Sequence, residues 1–196
     1  EKPAAKKAVA TEGAGATALA LEQTPLADRS TKVPDDHYKV KYTGKIRETI
    51  LGSGDNTIKV GGTNTMPFQL YEGEMPNKPL IVMDILDSAP DEWPETLARH
   101  FEGVMDNPVK WARKCVDDYQ AEAICLSLVS TDPNGMNRSA ADAAKVAAEV
   151  INNIDVPMIL WGCGNGEKDT ETLREITSIV GDKKVCLAPL SDANYR

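Results

Sequence analysis

Residues 156–190 read VPMILWGCGNGEKDTETLREITSIVGDKKVCLAPL, and this stretch decides the fold. An apolar run at 157–161 meets a glycine-rich turn. Leu173, Ile176, Ile179 and Val180 then recur at helical spacing, and Gly181 stands where a helix should stop. Asp169 or Thr170 is the expected helix cap. A second apolar run, VCLAPL, follows at 185–190. Strand, helix, strand is the pattern of a parallel crossover, because parallel neighbours need a connection of about a dozen residues or more.

The same rhythm extends upstream. Residues 80–86 and 123–129 are apolar runs of strand length. Between them Asn107, placed before Pro108, caps a helix with Val109, Ala112, Val116 and Tyr119 on one face. Ser139 with Asp142 three residues later resembles a capping box, and Ala143, Val146, Ala147, Val150 and Ile154 follow at helical spacing. Four apolar strands separated by helices predict a parallel sheet buried on both faces, so the class is α/β. A (β/α)8 barrel is favoured over a doubly wound sheet for three reasons. No glycine fingerprint follows the first strand, polar loops follow every strand, and the chain stops at a strand end. Four βα units make half of such a barrel, so the chain is expected to be a portion of something longer.

Ahead of the half barrel, YKVKYTGKIRETILGSGDNTIKVGG alternates apolar and polar residues around a break at 52–56. Ile46, Thr49 or Ile50 and Leu51 before it, with Ile58 and Val60 after it, predict a β-hairpin. The expected organisation is a flexible Ala-rich tether at 1–36, a hairpin with its connection at 37–78, and the half barrel at 79–196. The tether contains no aromatic residue and cannot bury enough surface to offset chain entropy.

Bulk properties exclude several functions. A formal net charge of -8 over 196 residues repels phosphate, which argues against nucleic acid as a partner. The apolar runs fall well short of the roughly 20 residues a membrane span requires. No apolar core of a secretory signal precedes them, so a cytoplasmic location is expected. Cys115, Cys125, Cys163 and Cys186 are isolated in sequence, without the close spacing of a zinc or iron-sulfur motif, and are expected to be buried free thiols.

The turn WGCGNGEKDT at 161–170 invites two readings that fail. A Walker loop places Lys directly after Gly and Ser or Thr after that, whereas Glu167 separates Gly166 from Lys168 and Asp169 follows. Gly162, Gly164 and Gly166 form G-x-G-x-G after the third strand, not the dinucleotide fingerprint after the first. What remains is a βα loop on the face where barrels carry ligand chemistry, its glycines permitting close approach by a ligand or simply making a turn. Cys163 as a nucleophile would need a base. The two histidines are His37, in or near the tether, and His100, on a predicted helix. Asp84, Asp87 and Ser88, then Ser130, Thr131 and Asp132, then Ser191, Asp192 and Asn194, decorate the other strand ends. They suit a polar, many-armed ligand or ordinary helix capping. Asp35-Asp36-His37 begins like a cobalt-ligating D-x-H-x-x-G element, but Val40 holds the glycine position.

Together GGTNTMPFQLYEGEMPNKP, PLIVMDILDSAPDEWP, SLVSTDPNG, PMILWGCGNGEKDTETL and LAPLSDANY resemble the small subunits of corrinoid iron-sulfur proteins. Within that group the resemblance is to the delta subunits of archaeal acetyl-CoA decarbonylase/synthase (CO dehydrogenase/acetyl-CoA synthase), over about residues 38–196. It implies a TIM barrel akin to pterin-binding methyltransferases, paired as a heterodimer with a large corrinoid iron-sulfur subunit that holds the cluster and most of the cobamide. The pair would carry a methyl group between a methyl-tetrahydropterin and the nickel site of acetyl-CoA synthase, within a complex that includes CO dehydrogenase. This chain would have no iron-sulfur cluster, metal ligand or catalytic residue of its own. Its barrel mouth would cover part of the corrinoid, with Gly162, Cys163, Gly164 and Asn165 first, then Asp132, Asp192 and Asn194, as the cofactor-binding residues. Such a mouth would restrict solvent at the cobalt centre. The alternatives are a scaffold subunit organising the complex, and a barrel lyase or aldolase. The last would need a lysine inside a strand, and the first three strands have none.

Overall fold

The computed structural model describes residues 28, 33–66, 68–70, 72–192 and 194–195. Most of the expected tether lies outside these residues. The chain divides into two units, Glu1–Val40 and Lys41–Arg196. In the first, Asp35–His37 forms a short 3-10 turn. The Asp35 carboxylate accepts the Tyr38 hydroxyl at 3.0 Å and pairs with Lys39 Nζ at 2.6 Å, which holds its carboxyl below the usual range.

The second unit opens with the hairpin. β1 (Thr49–Ser53) pairs antiparallel with β2 (Asn56–Val60), Ser53 facing Asn56 across a two-residue turn. The expected five-residue break is therefore tighter, because pairing continues to the turn. The alternating order β3 (Met83–Leu86), α1 (Glu95–Ala98), α2 (Pro108–Asp117), β4 (Ile124–Ser127), α3 (Ala140–Asn153), β5 (Met158–Trp161), α4 (Gly166–Val180) and β6 (Cys186–Ala188) follows. The strands are shorter than their apolar runs; Pro189, for example, has no N–H to continue the ladder of β6. The short helix α1 begins after Pro94 and ends at Ala98, short of His100, where a helix was expected. Trp93, Phe101 and Trp111 tie this excursion to α2, with ring centroids 5.4–6.3 Å apart.

Asn107 and Ser139 cap as expected: Asn107 Oδ1 accepts Lys110 N at 3.0 Å, and Ser139 Oγ accepts Asp142 N at 3.1 Å. The buried faces keep many of the expected residues, among them Ala112, Ala143, Ala147, Val150 and Ile154, and add others. On α2 the buried residues are Trp111, Ala112 and Cys115, while Tyr119 lies beyond the helix and is exposed. On α3, Ala140, Ala144 and Ile151 join the face and Val146 is half-buried. On α4, Leu173 and Ile176 are buried as expected and Val180 is half-buried, but Ile179 is exposed, and Asp169 and Thr172 join the buried face.

The four strands lie in chain order, β3-β4-β5-β6, every neighbouring pair parallel. A doubly wound sheet reverses its order; this one does not. Right-handed crossovers repeated in one direction put α2, α3 and α4 on one face. Ile85, Leu126 and Leu160 occupy one register row and, with Ile124 and Met158, are buried on that face. The alternate rows, Asp84-Cys125-Ile159-Cys186 and Leu86-Ser127-Trp161-Ala188, form the other face. There Asp84 is exposed and Trp161 is 47% exposed, so the expectation of burial on both faces does not hold among the described residues.

This assignment of faces is tested by adjacent substitutions. Leu126→Ala should lower the unfolding free energy by about 2–5 kcal/mol, the range for a deleted core leucine. Cys125→Ala, one residue away on the other face, should cost under about 1 kcal/mol. Urea denaturation measures both, and equal losses would contradict the assignment.

Candidate functional site at the C-terminal edge of the sheet

Because all four strands are parallel, the loops after β3, β4, β5 and β6 leave the same edge, and each loop is fixed from within. Asp87, just past β3, is 3% exposed. Its Oδ1 accepts Ser130 N at 2.9 Å and its Oδ2 accepts the Ser130 hydroxyl, which ties the loop after β3 to the loop after β4. Arg138 Nη1 lies 3.8 Å from Asp87 Oδ2, and Arg138 N donates to Ser130 O at 2.8 Å. Arg138 was missed in the sequence, where it reads as the residue before a helix cap. Asp132 Oδ1 accepts Asn134 N at 2.8 Å, folding its own loop.

The loop after β5 is the most constrained. Asn165, not Asp169 or Thr170, caps α4, its Oδ1 accepting Lys168 N at 3.1 Å. Asp169 does something else. Its side chain turns back and is 1% exposed, with Oδ1 accepting Cys163 N at 2.8 Å and Oδ2 accepting Gly164 N at 3.1 Å. Gly162 is required by the same contact: a Cβ there would lie 2.2 Å from Asp169 Oδ1. Gly164 has φ 93°, a left-handed conformation that favours glycine.

The seven residues expected to bind a cofactor therefore gather at one edge in three loops, with different exposures. Gly162 is buried and donates its N–H to Ala188 O at 2.8 Å. Gly164, Asn165 and Asp192 are exposed, while Cys163, Asp132 and Asn194 are half-buried. Asn194 Oδ1 accepts Ser191 N at 2.7 Å, and its Nδ2 donates to Pro189 O at 3.3 Å, closing the loop after β6. Outward from this edge, Thr170, Leu173, Arg174, Leu187 and Leu190 line a groove of about 200 Å³.

All four cysteines are free; Cys115 is buried and the others are half-buried, less enclosed than expected. Burial pushes the Cys115 thiol up to about 11. Burial, then the nearby Asp84 carboxylate, push Cys125 up to about 12. His100 lies in a turn past α1, not on a helix, and is exposed. Among the described residues no three His, Cys, Asp or Glu side chains stand together as metal ligands, and no helix is long and apolar enough to cross a membrane.

A parallel sheet in chain order, with braced polar loops along one edge, defines an α/β protein. The chain belongs to the CO dehydrogenase/acetyl-CoA synthase delta subunit family, whose defining pattern matches residues 48–196. It is 32% identical over 188 residues to the acetyl-CoA decarbonylase/synthase complex subunit delta of Archaeoglobus fulgidus, covering 92% of this chain and 41% of that one. The protein of the same name in Methanocaldococcus jannaschii is 29% identical over 203 residues, 100% of this chain and 47% of that one. Subunit delta 1 of Methanosarcina thermophila is 31% identical over 188 residues, 91% and 43% respectively. The chain spans less than half the length of each of these relatives.

Two measurements check the loop and thiol chemistry. Gly162→Ala should displace the Asp169 carboxylate and lower stability by about 1–3 kcal/mol, as an overpacked site does; a neutral result in thermal unfolding would contradict the contact. At pH 8, iodoacetamide should modify native Cys115 and Cys125 at least about tenfold more slowly than the unfolded chain, since the thiolate is the reactive form. A raised thiol pKa means the gap narrows as pH climbs from about 9, where a free thiol ionises, towards 11–12.

Proposed function

We propose that this chain is the part of a delta subunit that carries the mouth of a (β/α)8 barrel. In a heterodimer with a large corrinoid iron-sulfur subunit, this mouth covers part of a corrinoid. The heterodimer carries a methyl group between a methyl-tetrahydropterin and the nickel site of acetyl-CoA synthase, alongside CO dehydrogenase in the acetyl-CoA decarbonylase/synthase complex. The observation that carries this reading is the unreversed order of four parallel strands, which delivers every βα loop to one edge. Barrel closure is supported by the second sheet face, where Trp161 and Asp84 remain exposed at positions that point into a barrel.

The residues present fit such a ligand. Asn165, Asp132 and Asp192 offer an amide and carboxylates to the amide arms of a corrinoid, and Gly164 leaves open space where its side chain would be. Cys163 and Asn194 stand beside them, and Gly162 acts behind them by admitting the Asp169 carboxylate. When bound, the corrinoid supplies the metal that accepts and releases the methyl group. The chain's own residues orient the ring's edge and keep water from it.

A scaffold role is the second reading, and one observation favours it. Ile46 and Ile50 in and beside the hairpin, with Met66, Phe68 and Leu70 in the connection after it, are more than half exposed, Phe68 at 99%. Large apolar side chains gathered in one segment suit a protein partner.

The two readings separate in the reconstituted heterodimer. Cys163→Trp and Asp192→Trp should shift the cobalt absorption spectrum and slow methyl transfer about tenfold or more, a barrier change of about 1.4 kcal/mol, with the heterodimer intact. An unchanged spectrum and rate in an intact heterodimer, with assembly lost on Phe68→Asp, would instead establish the scaffold role.

A further inference from the structure

The Asp169 carboxylate occupies a position that the backbone prepares for an anion. Two successive N–H groups, of Cys163 and Gly164, converge on its two oxygens at 2.8 and 3.1 Å. Successive amides turned to one side by a positive φ form a concavity that binds anions, and Gly164 supplies that φ at 93°. Such a concavity can take its anion, phosphate included, from solution. Here it is covalently part of the chain, is 1% exposed, and is admitted by a glycine that leaves no room for a Cβ. The Asp169 N–H is also committed, donating to Asn165 O at 2.7 Å. Carboxylate and loop are thus held from both ends.

We propose that Asp169 is a specificity-determining residue: it fills the anion site of the loop after β5 and so excludes phosphate and carboxylate groups of a ligand from this part of the mouth. With both N–H groups spent, what the loop shows outward is Asn165 and the Gly164 backbone, both exposed. Asp132 and Asp192 in the neighbouring loops add negative charge. An anionic arm finds these two donors occupied and meets like charge, whereas a neutral amide or hydroxyl meets acceptors. The inference deepens the mouth reading above, and the groups this loop takes are then the neutral amide arms of a ligand, not its phosphate.

The test needs no cofactor, so its failure is separable from failure of the corrinoid reading. In the full-length subunit, Asp169→Ala removes the carboxylate and leaves the two N–H groups unpaired. Formate, the missing group as a free ion, should bind this variant at least about tenfold more tightly than the wild type, read as a rise in Tm over chloride at equal ionic strength. Amide hydrogen exchange at Cys163 and Gly164 should accelerate in the variant and slow again with formate. Asp169→Asn keeps the volume and should show fast exchange without formate rescue, which keeps the proposal testable if the alanine variant does not fold. Equal formate binding by wild type and alanine variant, or exchange in the asparagine variant as slow as in the wild type, would overturn it.

Discussion

Parallel pairing in chain order is the constraint from which the rest of the structure follows. Each strand must be re-entered from its own starting end, so a helix runs back along the sheet between every two strands, always on the same side. Two consequences are unavoidable. One face of the sheet becomes a core, with Ile85, Leu126 and Leu160 in a single buried row. One edge collects every loop that leads out of a strand, whatever those loops contain.

What the loops contain is a set of internal locks. Asp87 fastens the loops after β3 and β4 to each other, Asp169 fastens the loop after β5 to its own helix, and Asn194 closes the loop after β6. Buried carboxylates lose solvation, and each is compensated by backbone N–H groups or a nearby guanidinium, as such groups must be. A surface of this kind recognises shape by being rigid before it is met. It suits a ligand or partner to be covered and oriented.

The strand and helix rhythm was legible because apolar runs of strand length alternate with helical periodicity, and because Asn107-Pro108 and Ser139-x-x-Asp142 are local signals whose partners sit three residues away. The hairpin was legible for the same reason. The locks were not. Asp87 and Arg138 meet across 51 residues, and Asp169 reads as a cap from sequence because an acidic residue in a first helical turn usually is one. Its turn back toward Cys163 depends on the depth that Gly162 leaves, a tertiary fact. The residues added to the faces of α2 and α4 have a similar cause: Trp111 fills space beside Trp93 and Phe101, and Asp169 and Thr172 follow the loop inward. Family membership was legible from loop motifs in order, since loops at one edge carry what distinguishes one α/β protein from another.

The central claim is that the C-terminal edge of the sheet is the surface that meets the corrinoid-bearing partner. Hydrogen exchange across the chain, measured alone and in the heterodimer, reads this directly. The account predicts slowed exchange on assembly in residues 129–138, 162–166 and 189–195, three of the four loops of that edge. Slowing confined to residues 46–70, with those loops unchanged, would contradict it.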